Sequence, residues 1–310
     1  MLDILPLITK LLPLYSLVGF GYLAGRFLTI RHETIAGLLI YFIAPAVTFY
    51  SVATMNILPS YYLLPVIFFG IAVLLSLTYF AIGSKFLRGH DTNILSAAAG
   101  SGNTGYFGLP LILLLLGQPA LGIAVFCLMG GILYESTRSY YILARGKVTS
   151  RDALIKTLKL PMLYAFAAGL FVNWSGITIS PEIRDIFTYV NGAFVILGMM
   201  IIGIVLATAA KKHFDGTFTS LALSAKFIAY PVFVGAIVFI DYYYLGLLNT
   251  TAHTVMLLLS VVPMAANTIT YVSLLRMQPQ KIAITVMIST IVSLLVIPVF
   301  VSIVLSRSAL

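Results

Sequence analysis

The sequence predicts an all-α membrane protein of ten transmembrane helices, arranged as a five-plus-five inverted repeat in which spans four and nine are interrupted. Three observations predict it. The 310 residues are 61% hydrophobic and only 9% charged, with a mean hydropathy of +1.07, whereas a soluble domain carries about 25% charged residues. Lysine and arginine fall almost entirely into alternate connections between apolar segments. Two of those segments carry helix-breaking and polar residues at corresponding places in the two halves.

A bilayer-spanning helix needs roughly 20 mostly apolar residues. Such segments lie near 6–25, 34–54, 61–83, 93–117, 120–142, 160–178, 186–208, 217–240, 250–275 and 282–305. The first lacks a basic leader and a small-x-small cleavage site, so it reads as a span and not as a signal peptide. Of the 18 Lys and Arg residues, Lys10, Arg184 and Arg307 map to one side and the other 15 to the opposite side. The rule that short basic loops face the cytoplasm then places both termini outside and predicts a multi-pass protein of the plasma membrane. The formal charge of +9 is therefore topological. It gives no support for nucleic-acid binding, although a basic inner face also attracts anionic lipid headgroups.

The longest and most charged connection, 143–159 (LARGKVTSRDALIKTLK), divides the chain into a first repeat over 1–142 and a second over 160–310. Five spans per half force the halves into opposite orientations, the plan of an inverted repeat. LLPLYSLVGFGYLAG in span one resembles KLPMLYAFAAGLFVN in span six, with Pro13 eight residues before Gly21 and Pro161 eight before Gly169.

Span four contains AGSGNTGYFGLPLILLLLG, with Gly100, Gly102, Gly105, Gly108 and Pro110 in one apolar run. Glycine costs about 1 kcal/mol and proline about 3 kcal/mol in a helix interior, so the helix is expected to unwind around Gly102–Gly105. Close helix packing through small residues is the alternative reading of the glycines, but Asn103 needs polar partners in either case. Span nine matches it: in LLLSVVPMAANTITYVSLL, Pro263 interrupts and Asn267, Thr268 and Thr270 follow. Each half thus supplies an Asn-Thr pair, Asn103-Thr104 and Asn267-Thr268, beside a break. Paired broken helices mark a transporter's binding site, because freed N–H groups and carbonyls hold ions and polar ligands.

These motifs resemble the auxin efflux carrier family, which includes plant auxin exporters and prokaryotic malonate and malate permeases. GNTGYFGLPLILLLLG followed by PALGIAVF, and VVPMAANTITYVSLLRMQPQKIAITVMISTIVSLLVIPVF, carry the likeness; YFIAPAVTF around Pro45 and AKFIAYPVF around Lys226 agree. The resemblance implies ten helices similar to the bile-acid/sodium symporter and NhaA-like architecture, outward termini, interrupted spans four and nine that cross at the membrane midplane, and one bundle moving against the other as an elevator. It implies a homodimer through the bundle that stays still. It also implies a small organic anion bound at the crossing by Asn103, Thr104, Gly102, Gly105, Pro263, Asn267 and Thr268, with Glu135 and Thr48 nearby. Gly102 stands where plant members have proline, so this first break relies on glycine.

In span five, Glu135 and Arg138 are three residues apart on one face. They form either a structural ion pair or a proton-coupling site beside the substrate. Ser101, Thr104, Thr268 and Thr270 offer oxygens to sodium under the alternative of a sodium-coupled symporter; a non-transporting sensor or channel is a further alternative. Lys226 is expected either to reach the inner surface with its long side chain or to lend positive charge to an anion path. His253 reads as packed or interfacial, and Tyr61, Tyr62 and Tyr242–Tyr244 as an aromatic belt. No enzyme motif, metal site or cofactor is expected: there is no Gly-x-Ser-x-Gly, HExxH or Walker loop, and the single Cys127 sits in an apolar run.

Overall fold

The computed structural model of the chain describes residues 4–30, 32–144, 151, 155, 158–208, 214–275, 277 and 280–308. Most of the 143–159 connection, with Lys211, Lys212 and Arg276, lies outside the described residues. Every extended element among the described residues is helical, and the one β-type pairing is a single antiparallel bridge, Gly102 to Met264.

The helices are α1 (Ile4–Phe27), α2 (His32–Leu38), α3 (Ala44–Thr54), α4 (Leu63–Phe86), α5 (His90–Ala99), α6 (Leu109–Leu116), α7 (Gln118–Tyr134) and α8 (Tyr140–Ala144). After the connection follow α9 (Pro161–Ser175), α10 (Pro181–Thr208), α11 (Gly216–Ser224), α12 (Tyr230–Ile240), α13 (Thr250–Ser260), α14 (Asn267–Leu274) and α15 (Gln280–Ser308). Several adjacent helices are one rod joined through a π-turn. Six stretches among the described residues are long and apolar enough to cross a membrane: Glu33–Thr54, Pro59–Phe86, Gln118–Ala144, Pro181–Ala207, Gly216–Leu245 and Gln280–Ser302. Thr104–Leu116 and Thr250–Ser260 are shorter apolar helices.

Proline places three of the π-turns. Leu39–Ile43, Thr104–Gly108 and Ala225–Ala229 are each followed, two residues on, by Pro45, Pro110 or Pro231. Proline has no N–H to give and its ring crowds the carbonyl four residues back. Widening the preceding turn relieves that crowding and re-aims the side chains within it. Lys226 lies in one of these turns, and Glu135 opens a fourth, Glu135–Ser139.

Glycine sets the helix pairs that approach closest. α1 packs along α10, and α3 along α9. A methyl group on Gly21 would overlap the Met200 carbonyl, and one on Gly203 would overlap the Val18 carbonyl. At the α9–α3 contact, a methyl on Gly169 would lie 2.8 Å from the Phe49 oxygen. With no side chain in the way, backbones meet directly and van der Waals contact replaces lipid.

Polar clusters tie the two ends. At one, Lys281 Nζ reaches Asp91 Oδ2 at 2.7 Å and Asp215 Oδ2 at 2.9 Å, joining the starts of α15 and α5 to the residue that precedes α11. Asp215 also caps α11, accepting from the Phe218 N–H at 3.0 Å. That backbone bond, with Lys281, holds the Asp215 carboxyl below the usual aspartate range. An Asp215→Ala variant is expected to lose about 1 kcal/mol of stability through the missing cap. Because the folded-state pKa is depressed, the difference from wild type persists at neutral pH and vanishes as pH falls through that lowered value. Thermal unfolding of both proteins across a pH series reads it out.

At the other end, the buried Asp241 carboxylate accepts from the Leu247 and Leu248 N–H groups at 3.1 and 3.0 Å, and lies 2.7 Å from His253 Nε2. His253 is therefore packed. Tyr242, Tyr243 and Tyr244 are exposed, but Tyr61 is buried and accepts from Asn249 Nδ2 at 2.8 Å, so it ties α13 to α4's entrance instead of forming part of a belt.

Candidate functional site

Two helices break and meet at their breaks. α5 ends at Ala99, and helix resumes at Thr104; α13 ends at Ser260, and helix resumes at Asn267. The first break covers 100–103, two residues earlier than the glycine spacing predicts, because Asn103 starts the new segment. Its side-chain oxygen accepts from the Tyr106 N–H at 3.2 Å, capping the π-turn that follows. Gly105 is therefore inside the resumed helix, partly exposed, with open space where a Cβ would be.

Each break supplies what the other lacks. The Asn103 N–H donates to the Pro263 carbonyl at 2.8 Å beside the Gly102–Met264 bridge. The Met264 N–H donates to Ser289 Oγ of α15 at 3.1 Å. The carbonyls left at the end of α5 are also covered. Tyr134 Oη donates to the Ser96 and Ala97 carbonyls at 3.1 and 3.0 Å, and Ser101 Oγ to Ala97 at 3.0 Å. A methyl on Gly100 would overlap the Ala72 carbonyl and press on the Tyr134 ring, so this position admits only glycine. An unwound segment survives in an apolar interior only when its backbone groups are paired in this way.

Sequence reasoning missed Tyr134 and Ser289. Tyr134 precedes Glu135 in GGILYESTRS, and Ser289 lies in the hydroxyl-rich MISTIVS of α15. Only their facing the breaks distinguishes them from other polar residues in apolar helices.

The structure gathers Gly102, Asn103, Thr104 and Pro263 at the crossing. Asn267, exposed, opens α14, and its Nδ2 donates to Glu135 Oε2 at 2.8 Å. Thr268 is buried beside it; Thr270 lies in α14, with its side chain outside the described residues. The two asparagines thus differ. Asn267 spends its NH2 on a carboxylate, whereas Asn103 spends its oxygen on its own backbone, and its NH2 has no acceptor among the described residues. Tyr106 Oη is buried there without a partner.

Glu135 and Arg138 do not pair. Arg138 Nε donates instead to Ser76 Oγ at 3.1 Å, because the π-turn Glu135–Ser139 swings the two side chains apart. Lys226 does not reach a surface either. It is 1% exposed, its Nζ lies 4.0 Å above the Tyr230 ring, and it has no hydrogen-bond partner among the described residues. The site for a methyl on Gly102 is 2.9 Å from that Nζ, so the glycine of the first break leaves room for the ammonium. Thr48 is buried on α3 with an unpartnered hydroxyl and bonds none of the crossing residues. Among the described residues, no group of three or more His, Cys, Asp and Glu is placed to hold a metal ion.

The model of the membrane transport protein family matches residues 6–147. The chain is also 27% identical over 296 residues to an uncharacterized transporter of Methanocaldococcus jannaschii, MJ1031, covering 91% of this chain and 93% of that protein. Apolar helices of spanning length, broken helices that meet inside the fold and these two likenesses define a multi-pass membrane transport protein. Both likenesses agree with the resemblance of its two broken segments to the auxin efflux carrier family.

Proposed function

We propose that this transporter carries small organic anions, carboxylates above all, across the plasma membrane as a secondary or potential-driven permease. The carrying observation is the crossing itself: two breaks paired through Asn103 N–H and the Pro263 carbonyl, with the Asn103 NH2 left as a donor that has no acceptor among the described residues. A free donor near the N-terminal ends of two resumed helices favours a ligand that accepts hydrogen bonds and carries negative charge. Driving energy is available from the membrane potential, worth about 2.3 kcal/mol per elementary charge per 100 mV.

The ten-span, five-plus-five plan with repeats over 1–142 and 160–310, outward termini and an elevator motion belongs to the same proposal. Its support is the matched pairing of helices across the halves. Gly21 in the first half lets α1 lie against α10, and Gly169 in the second lets α9 lie against α3. These are the two glycines that stand eight residues after Pro13 and Pro161. Such a pair of contacts forms one rigid bundle against which the crossing-helix bundle slides, and the first bundle is also the expected homodimer contact.

A thermal-unfolding screen of carboxylates, followed by uptake of the stabilising compounds into proteoliposomes, tests the function. Saturable uptake that responds to an imposed potential is expected. Large unsaturable conductance, or binding without counterflow, would replace the permease with a channel or sensor.

A further inference from the structure

Lys226 is the one described lysine buried to 1% with no hydrogen-bond acceptor at its Nζ. A lysine buried in this way keeps its charge only when an anion pairs with it, because the face of one aromatic ring does not replace the water it has lost. The carboxylates in the described interior are already committed. Glu135 holds Asn267, Asp241 holds His253 and two backbone N–H groups, and Asp91 and Asp215 share Lys281. No described carboxylate forms an ion pair with Lys226.

Its position is equally specific. The π-turn Ala225–Ala229, forced by Pro231, turns Lys226 toward the first break, where Gly102 has no side chain to block it. No cage of oxygens surrounds the Nζ, so it does not stand in for a bound metal cation. Nothing described around the Nζ supplies a negative charge to pair with it.

We propose that Lys226 is the receptor for the negative charge of the transported anion: the carboxylate of the bound substrate pairs with Lys226 Nζ at the Gly102 break, while Asn103 NH2 donates to it from the same crossing. This assignment rests on the anion-permease reading and adds to it a charged partner.

The test is thermal unfolding of purified wild type, Lys226→Met, Lys226→Gln and the exposed-surface control Lys85→Met, each titrated with acetate, malonate and malate. We expect at least one carboxylate to stabilise wild type and Lys85→Met. Both Lys226 variants should bind it roughly 30-fold more weakly or worse, the usual loss when one partner of a buried charge pair is removed. In ligand-free buffer, Lys226→Met should unfold at the wild-type temperature or above it, since an unpaired buried charge has been removed. Equal stabilisation of wild type and both Lys226 variants would overturn the assignment and leave the anion reading standing. No stabilisation of wild type by any carboxylate would overturn both. If the Lys226 variants are clearly less stable than wild type without ligand, or fail to fold, the lysine has a partner inside the protein and the assignment is wrong.

Discussion

Replacing Asn103 by alanine reduces carboxylate uptake tenfold to about a hundredfold while leaving a folded protein in the membrane. The range follows from losing one hydrogen bond to a charged ligand, about 1.5–3 kcal/mol. Two roles meet in this side chain, since its oxygen caps the Tyr106 N–H at 3.2 Å and its NH2 has no acceptor among the described residues. Asn103→Asp separates them. Aspartate keeps the capping oxygen but removes the donor and adds negative charge, so uptake should fall at least as far as in Asn103→Ala while thermal stability stays closer to wild type. Proteoliposome counterflow and unfolding midpoints, measured on the same preparations, check both. Normal transport by Asn103→Ala would remove the crossing from the binding site.

Gly203→Ala should destabilise the protein by about 3 kcal/mol or more, the upper range for overpacking a tight interior. A methyl there meets the Val18 carbonyl and the backbone of Gly21 and Tyr22, none of which moves without shifting α1 as a whole. Flexible side chains absorb such an intrusion cheaply, whereas two backbones in contact have no rotamer to change. Gly19→Ala on the same α1 helix is the control, since nothing lies within 4 Å of the added methyl. The monodisperse fraction in detergent and the unfolding temperature should fall for Gly203→Ala and hold for Gly19→Ala. Equal behaviour of the two variants would mean that α1 and α10 do not meet backbone to backbone.

The two breaks were legible because glycine, proline and asparagine are costly inside an apolar helix and leave a visible signature. Pro263 and the Asn267-Thr268 pair located the second break closely: α13 ends at Ser260 and α14 begins at Asn267. The first lies two residues earlier than expected, since glycine spacing does not reveal that Asn103 caps the returning helix with its own oxygen. Glu135 was recognisable as a buried acid, but its partner was not. Three-residue spacing puts Arg138 on the same face of a regular α-helix, and the π-turn beginning at Glu135 cancels that geometry. The same cause removes one of the two readings of Lys226, the one that took it to the surface. A long basic side chain in an apolar helix ordinarily extends to the surface, yet Pro231 widens the turn that holds it and points it inward.

Composition and periodicity by themselves determined that this chain is an all-helical, multi-pass membrane protein with two interrupted segments, because hydrophobic length and helix-breaking residues act locally along the chain. Only the tertiary structure decided that Asn103 donates its backbone N–H to Pro263, that Asn267 holds Glu135 in place of Arg138, and that Lys226 ends beside Gly102 without an acceptor. Those pairings join residues more than a hundred positions apart. They depend on turn geometry and on where a missing side chain leaves space, and neither quantity is carried by the spacing of residue types.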